Sequence, residues 1–151
     1  MPLFFKDYPN FTPDYTPKQV MDMGAFIDQG GYWRPIYSRV LGKEVKNDYK
    51  NYDWGSVSLD KLIHKPDPLL NKYKVKAGSD LITWEDHGWI HPQDPRGWFE
   101  WFSKFSQGRR TEDDARQIRR WIAFKKRFRN KIDSDVVKQN LLQWGIDYKR
   151  L

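Results

Sequence analysis

Between Trp98 and Phe105, large rings fall at Trp98, Phe99, Trp101, Phe102 and Phe105. Two rings, a gap, two more, then one three residues on: this spacing predicts a helix buried over a broad face. Asp94 and Pro95 predict its start, as N-cap and first helical residue, and Gly108 predicts its end. Thr111-Glu112-Asp113-Asp114 is the clearest helix start in the chain. Thr111 reads as the N-cap and Asp114 as the third helical position, with three acids at the positive end of the helix dipole. This helix is predicted to run to about Arg129. At about 100° per residue, Ala115, Ile118, Trp121, Ile122 and Phe128 fall on one side, with Phe124 at its margin. Arg116, Arg119, Arg120, Lys126 and Arg127 gather on the other. Asp133 or Ser134 caps a last helix in which Val137, Leu141 and Trp144 share a face and Gly145 closes the end.

The N-terminal half patterns more weakly. Pro2, Pro9 and Pro13 among aromatic residues predict extended chain or turns. Thr16-Pro17 opens a short helix with Val20 and Met23 facing inward and Gly24 as its end. Gly30-Gly31 permits a tight turn but lacks the spacing of a nucleotide-binding loop. Arg34 precedes Pro35, which favours extended backbone there. Residues 43–79 are charged and turn-rich: Lys46 to Asp53 is polar and aromatic, Lys65-Pro66-Asp67-Pro68 is a rigid loop, and Tyr73-Lys74-Val75-Lys76 alternates as a short strand would. Ser79-Asp80 caps a short helix over Leu81, Ile82 and Trp84. Repeats, low-complexity tracts and domain boundaries are absent from the pattern. The expected fold is mainly α: a single compact domain over residues 1–151, built of short helices, with a loop-rich N-terminal half and room for a small β hairpin.

Composition narrows the chemistry. The 151 residues include no cysteine, which excludes disulfides and thiolate metal sites. No apolar run reaches the length of a membrane span, and the N-terminus does not read as a signal peptide, so a soluble, intracellular protein is expected. Eight tryptophans, nine phenylalanines and eight tyrosines are more rings than a core this charged ordinarily carries, and burial is their first expected use. The net charge of +7 is unevenly spread. Residues 1–94 hold 12 Lys/Arg against 13 Asp/Glu, whereas residues 95–151 hold 15 against 7. That asymmetry points to a polyanionic partner.

Four strings carry a resemblance. They are Gly30-Gly31-Tyr32-Trp33-Arg34-Pro35-Ile36, Gly88-Trp89-Ile90, Asp94-Pro95-Arg96-Gly97-Trp98-Phe99-Glu100-Trp101-Phe102, and the run from Gly108-Arg109-Arg110 through Arg119-Arg120-Trp121. Together they resemble a family of small proteins, with members in bacteria, fungi, plants and some large viruses, to which no activity is assigned. The resemblance spans roughly residues 26–125. It implies one recurring unit and transfers no catalytic or binding role.

The residues themselves nominate three sites. The first is a polyanion-binding face of Arg109, Arg110, Arg116, Arg119, Arg120, Lys126 and Arg127, with Arg129 beyond it. Guanidinium forks suit phosphate and carboxylate, and phosphate contacts confer affinity with little sequence choice. The competing reading is a solvated helix face with some arginines paired to Asp113, Asp114 or Asp94. The second is an anion pocket on which Arg34 and Arg96, with Arg109 and Arg110, converge, beside His91 or Asp94, against a brace in which Arg34 and Arg96 are ion-paired with Asp94, Asp113 or Asp114. The third is His87 with His91, where Gly88 and Pro92 disfavour the helix that would align two imidazoles on a metal. No metal site, cofactor or catalytic constellation is expected. There is no nucleophile elbow, and Asp113 and Asp114 read as helix-start charges. The expected function is a non-catalytic binding protein whose basic helical face contacts nucleic acid or another polyanion, such as an acidic protein surface. Two alternatives stand beside it: a protein-interaction or virion-structural component using exposed aromatics such as Trp98, Trp101 or Trp144, and a small enzyme with an arginine-lined anion pocket. On the helical wheel, aromatics and arginines of the basic helix point different ways, which disfavours a mixed stacking surface.

Overall fold

The structure, a computed structural model, describes residues 3–46 and 54–151. Pro2 and all but Lys46 of the polar stretch from Lys46 to Asp53 lie outside the described residues. Among the described residues six α-helices carry the architecture: α1 (Pro17–Asp22), α2 (Leu59–Leu62), α3 (Leu81–Asp86), α4 (Trp98–Ser106), α5 (Asp114–Phe128) and α6 (Asp135–Gln143). One antiparallel hairpin joins β1 (Ile36–Ser38) to β2 (Lys43–Val45), pairing Ile36 with Val45, Tyr37 with Glu44 and Ser38 with Lys43. The protein is therefore mainly α, as the pattern predicts.

Local chemistry explains most element ends. In α1 the Thr16 side chain accepts the Gln19 amide and the Gln19 side chain accepts the Thr16 amide, a complete capping box. Val20 and Met21 are buried there, while Met23 is only half-buried. Asp80 caps α3 by accepting the Thr83 amide. Of the two candidates for α6, Ser134 is the cap, accepting the Val137 amide.

Three expectations shift. First, the helix expected from Pro95 begins at Trp98, with Gly97 as its cap residue. Asp94 does not cap it: the backbone turns through Gly97 N–H to Asp94 O at 2.9 Å, and the carboxylate is taken by Arg109. A charge-assisted fork outcompetes a neutral amide for the same oxygens. Second, α5 begins at Asp114, yet the Thr111–Asp114 box still closes before it. Thr111 N–H donates to Asp114 Oδ2 at 2.8 Å, and Asp113 N–H donates to Thr111 Oγ1 at 3.3 Å. Ala115 is exposed, because the buried stripe of α5 is centred on Asp114, Gln117, Ile118 and Trp121, whose polar members find partners inside. Third, Tyr73-Lys74-Val75-Lys76 is a turn, not a strand. Asn71 Nδ2 donates to Val75 O at 2.9 Å, and Lys74 sits at φ +59°.

The core is aromatic, and a loop residue occupies its middle. Phe11 is fully buried and meets Trp98, Trp101, Phe102, Phe105 and Trp121 at ring-centroid distances of 5.1–6.2 Å. The N-terminal loop thus plugs the angle between α4 and α5. From the opposite side, the buried Gln139 and Gln143 of α6 donate to the Gly24 and Ala25 carbonyls, locking α6 onto the end of α1. Removing the Phe11 ring leaves a cavity that five neighbouring rings cannot collapse into. Phe11→Ala is expected to lower stability by about 3–5 kcal/mol, while Phe4→Ala, at a ring 67% exposed, leaves it nearly unchanged. Urea unfolding of both variants checks this.

Candidate nucleic-acid interface

The four sequence strings pack against one another, mainly as scaffold. Asp94 is fully buried and accepts Arg109 Nη1 at 2.9 Å and Nη2 at 2.6 Å, one on each oxygen. Lys104 reaches the same carboxylate at 3.2 Å and Glu100 at 3.0 Å. Burial pushes the Glu100 carboxyl up, opposed by Lys104. Tyr32 OH donates to Arg96 O and accepts the Glu100 amide, which ties the glycine-pair loop to the start of α4. Asp113 and Asp114 are buried too. Asp114 accepts Trp101 Nε1 at 2.8 Å, and Asp113 accepts Arg116 at 2.6 Å and Gln117 Nε2 at 3.0 Å.

This scaffold divides the predicted polyanion-binding residues. Arg109 is held by Asp94. Arg110 pairs with Asp7 at 2.7 Å and lies 3.7 Å over the Phe105 ring. Arg116 pairs with Asp113 and also donates to Trp89 O. Arg119, Lys126 and Arg127 are exposed, as is Arg129, and among the described residues none of them forms an ion pair.

Arg120 is the exception that geometry, not pattern, reveals. Its guanidinium lies 5.8 Å from the Trp89 ring and 5.6 Å from the Trp144 ring. Nη1 donates to Gln117 Oε1 at 2.7 Å and to Trp89 O at 3.3 Å, while Nε and Nη2 have no partner within the described protein. Burial, reinforced by the like charge of Arg116 and partly offset by the Asp113 carboxylate, pushes Arg120 down to about 10, so it stays cationic at neutral pH.

Around it opens a cleft of about 430 Å³, walled by Ala123, Phe124, Arg127 and Phe128 of α5, by Trp84 and Trp89, by Gly78-Ser79, and by Asn140 and Trp144. No acidic side chain lines it. Trp144 is fixed by stacking on Phe124 at 4.6 Å and by Trp98 at 4.6 Å, and its carbonyl accepts Trp121 Nε1. Trp89, 39% exposed, stacks on His87 at 4.5 Å. Charge and rings therefore meet on one surface here, against the separation expected from the helical wheel. The wheel places α5 side chains relative to each other but cannot show that Trp89 and Trp144 come to Arg120 from other elements. Trp84, Trp89 and Asn140 were not nominated from sequence; a tryptophan following Gly88 in a helix-terminating turn is the one local hint.

The other nominated groups disperse. Arg34 and Arg96 meet, but through backbone: Arg96 Nη2 donates to the Arg34 and Lys46 carbonyls at 2.9 and 3.0 Å. The Arg34 guanidinium bonds Gly31 O and faces a separate polar hollow that Asp28 and Asp80 also line, so the two guanidiniums do not converge on an anion. Arg96 acts as a brace that ties the Arg34 and Lys46 carbonyls to the start of α4. His87 contacts Thr83 O, and His91 accepts the Gln93 amide. Among the described residues, no group of three His, Cys, Asp or Glu is placed to hold a metal. Trp98 and Trp101 are buried, which removes both from any exposed aromatic surface, while Trp144 stays half-exposed on the cleft. Among the described residues no helix is long and apolar enough to cross a membrane.

Comparison with protein-family models, curated proteins and solved structures finds no match to the chain.

The division of the arginines is testable by stability alone. Arg109→Met strips two charge-assisted bonds from a buried carboxylate and is expected to cost about 3 kcal/mol. Arg119→Met removes an exposed, unpaired charge and is expected to change little, a contrast that paired denaturation curves would read directly.

Proposed function

We propose that the protein is a non-catalytic binding protein that engages nucleic acid through α5 from Arg119 onward and the cleft beside it. One observation carries the reading: Arg119, Arg120, Lys126, Arg127 and Arg129 lack acidic partners among the described residues, whereas Arg109, Arg110 and Arg116 upstream all have one. Unpaired guanidinium groups in a row attract phosphates through charge and fork geometry. The rings beside them favour nucleic acid over a featureless acidic protein surface, because bases offer flat faces to stack. The polyanion contact thus begins near Arg119, later along the chain than Arg109.

Binding of generic DNA or RNA is expected to weaken steeply as salt rises. Changing Arg119, Lys126 and Arg127 together to Gln is expected to weaken it further and to flatten the plot of log affinity against log salt by about two to three, at roughly 0.7–0.9 per lost contact. Fluorescence anisotropy at several salt concentrations measures both. An unchanged slope and affinity in this triple variant overturns the reading.

A further inference from the structure

We infer that the cleft between Trp89 and Trp144 receives an unstacked base of a single strand, with Arg120 and Arg127 on separate phosphates of that strand. The inference rests on the nucleic-acid reading above and adds which form of nucleic acid is preferred and where it sits.

Trp89 is 39% exposed yet held in place, by His87 against its ring and by Arg116 and Arg120 donating to its carbonyl. An exposed indole fixed by its neighbours loses little freedom on stacking, which favours binding. Trp144 is held equally firmly by Phe124 and Trp98. Between them stands Arg120, itself a flat cation, with Nε and Nη2 free to bond an anion. A guanidinium desolvated beside two indoles and lacking a carboxylate gains most from a ligand that brings both a ring and a negative charge. A nucleotide unit brings both.

The rim fits the same ligand. Arg127 lies on the cleft wall two turns beyond Arg120, about 10 Å along the helix axis, which is more than one phosphate step of a strand. The Asn140 amide faces the cleft without a hydrogen-bond partner among the described residues, and Ser79 offers its hydroxyl beside it. Both can serve the polar edge of a base. The volume, about 430 Å³, lies within the roughly 300–1,000 Å³ usual for small-ligand clefts. A paired duplex keeps its base faces stacked inward and cannot present one to Trp89, so the site selects single strands.

The test titrates the full chain with a short oligothymidine strand, a duplex of equal length, inorganic polyphosphate and a polyglutamate peptide, following tryptophan fluorescence and anisotropy. The expected result is tighter binding of the strand than of the duplex. Trp89→Ala is expected to weaken strand binding roughly tenfold or more, as loss of one stacked base does, with duplex binding changed less than twofold and Trp89→Phe restoring most of the loss. Arg120→Gln is expected to weaken strand binding as well, with its thermal unfolding midpoint reported alongside to confirm folding. If strand and duplex bind equally and Trp89→Ala affects neither, the cleft assignment fails while the basic-face reading stands. Polyphosphate or polyglutamate binding as tightly as the strand, with the same loss in Trp89→Ala, also overturns it. If nothing binds, both readings fall together.

Discussion

The contact between Asp94 and Arg109 fixes the geometry on which the candidate site depends. A fully buried carboxylate costs several kcal/mol in lost hydration, and only close, well-aligned cations offset that. Arg109 supplies a two-pronged fork and Lys104 a second charge. The residues between them, from α4 through the turn at Gly108, are thereby held in one arrangement. That sets the direction in which α5 leaves. Asp113 and Asp114 then anchor its first turn to Arg116, Gln117 and Trp101. Gln117, fully buried and tied to Asp113, presents its Oε1 to Arg120. A chain of named contacts therefore runs from Asp94 to the guanidinium at the mouth of the cleft.

Much of this was legible in the sequence, and the reason is local. Caps at Thr16, Asp80 and Ser134 act within three residues of themselves, so composition at those positions suffices to place them. The ring spacing of α4 and the charge stripe of α5 are properties of a single helix, and both emerge in the structure. What stayed hidden depends on long-range contact. Phe11 sits in a proline-flanked loop whose pattern says only that the chain is extended; its role as the central ring depends on α4 and α5 arriving around it. The competition at Asp94 could be resolved only by knowing that Arg109, fifteen residues on, folds back to it. The cleft is the extreme case, since Ser79, Trp89, Arg120 and Trp144 come from four separate stretches of chain.

Net charge alone would mislead about where the positive surface lies. From Asp94 onward the structure takes four carboxylates off the exterior, those of Asp94, Glu100, Asp113 and Asp114, while Glu112, Asp133 and Asp135 stay exposed. Their partners are Lys104, Arg109 and Arg116, which lie early in this region. The upstream arginines are thereby neutralised in place, and the field outside α5 comes from Arg119 onward. The scaffold and the exposed basic face are thus two consequences of one partition, four acids inward with the first few bases and the later bases of α5 outward.

The same partition accounts for the state of Arg120. Arginine tolerates partial burial when aromatic faces and carbonyls replace some of its hydration, and Trp89, Trp144 and Gln117 do this here. They do not supply negative charge. Asp113 attracts Arg120 but is ion-paired with Arg116, and among the described residues no carboxylate forms an ion pair with Arg120. On the proposed reading, an anion from outside relieves a charge left in that condition, and some stability is exchanged for affinity, as in a functional site built on a rigid frame.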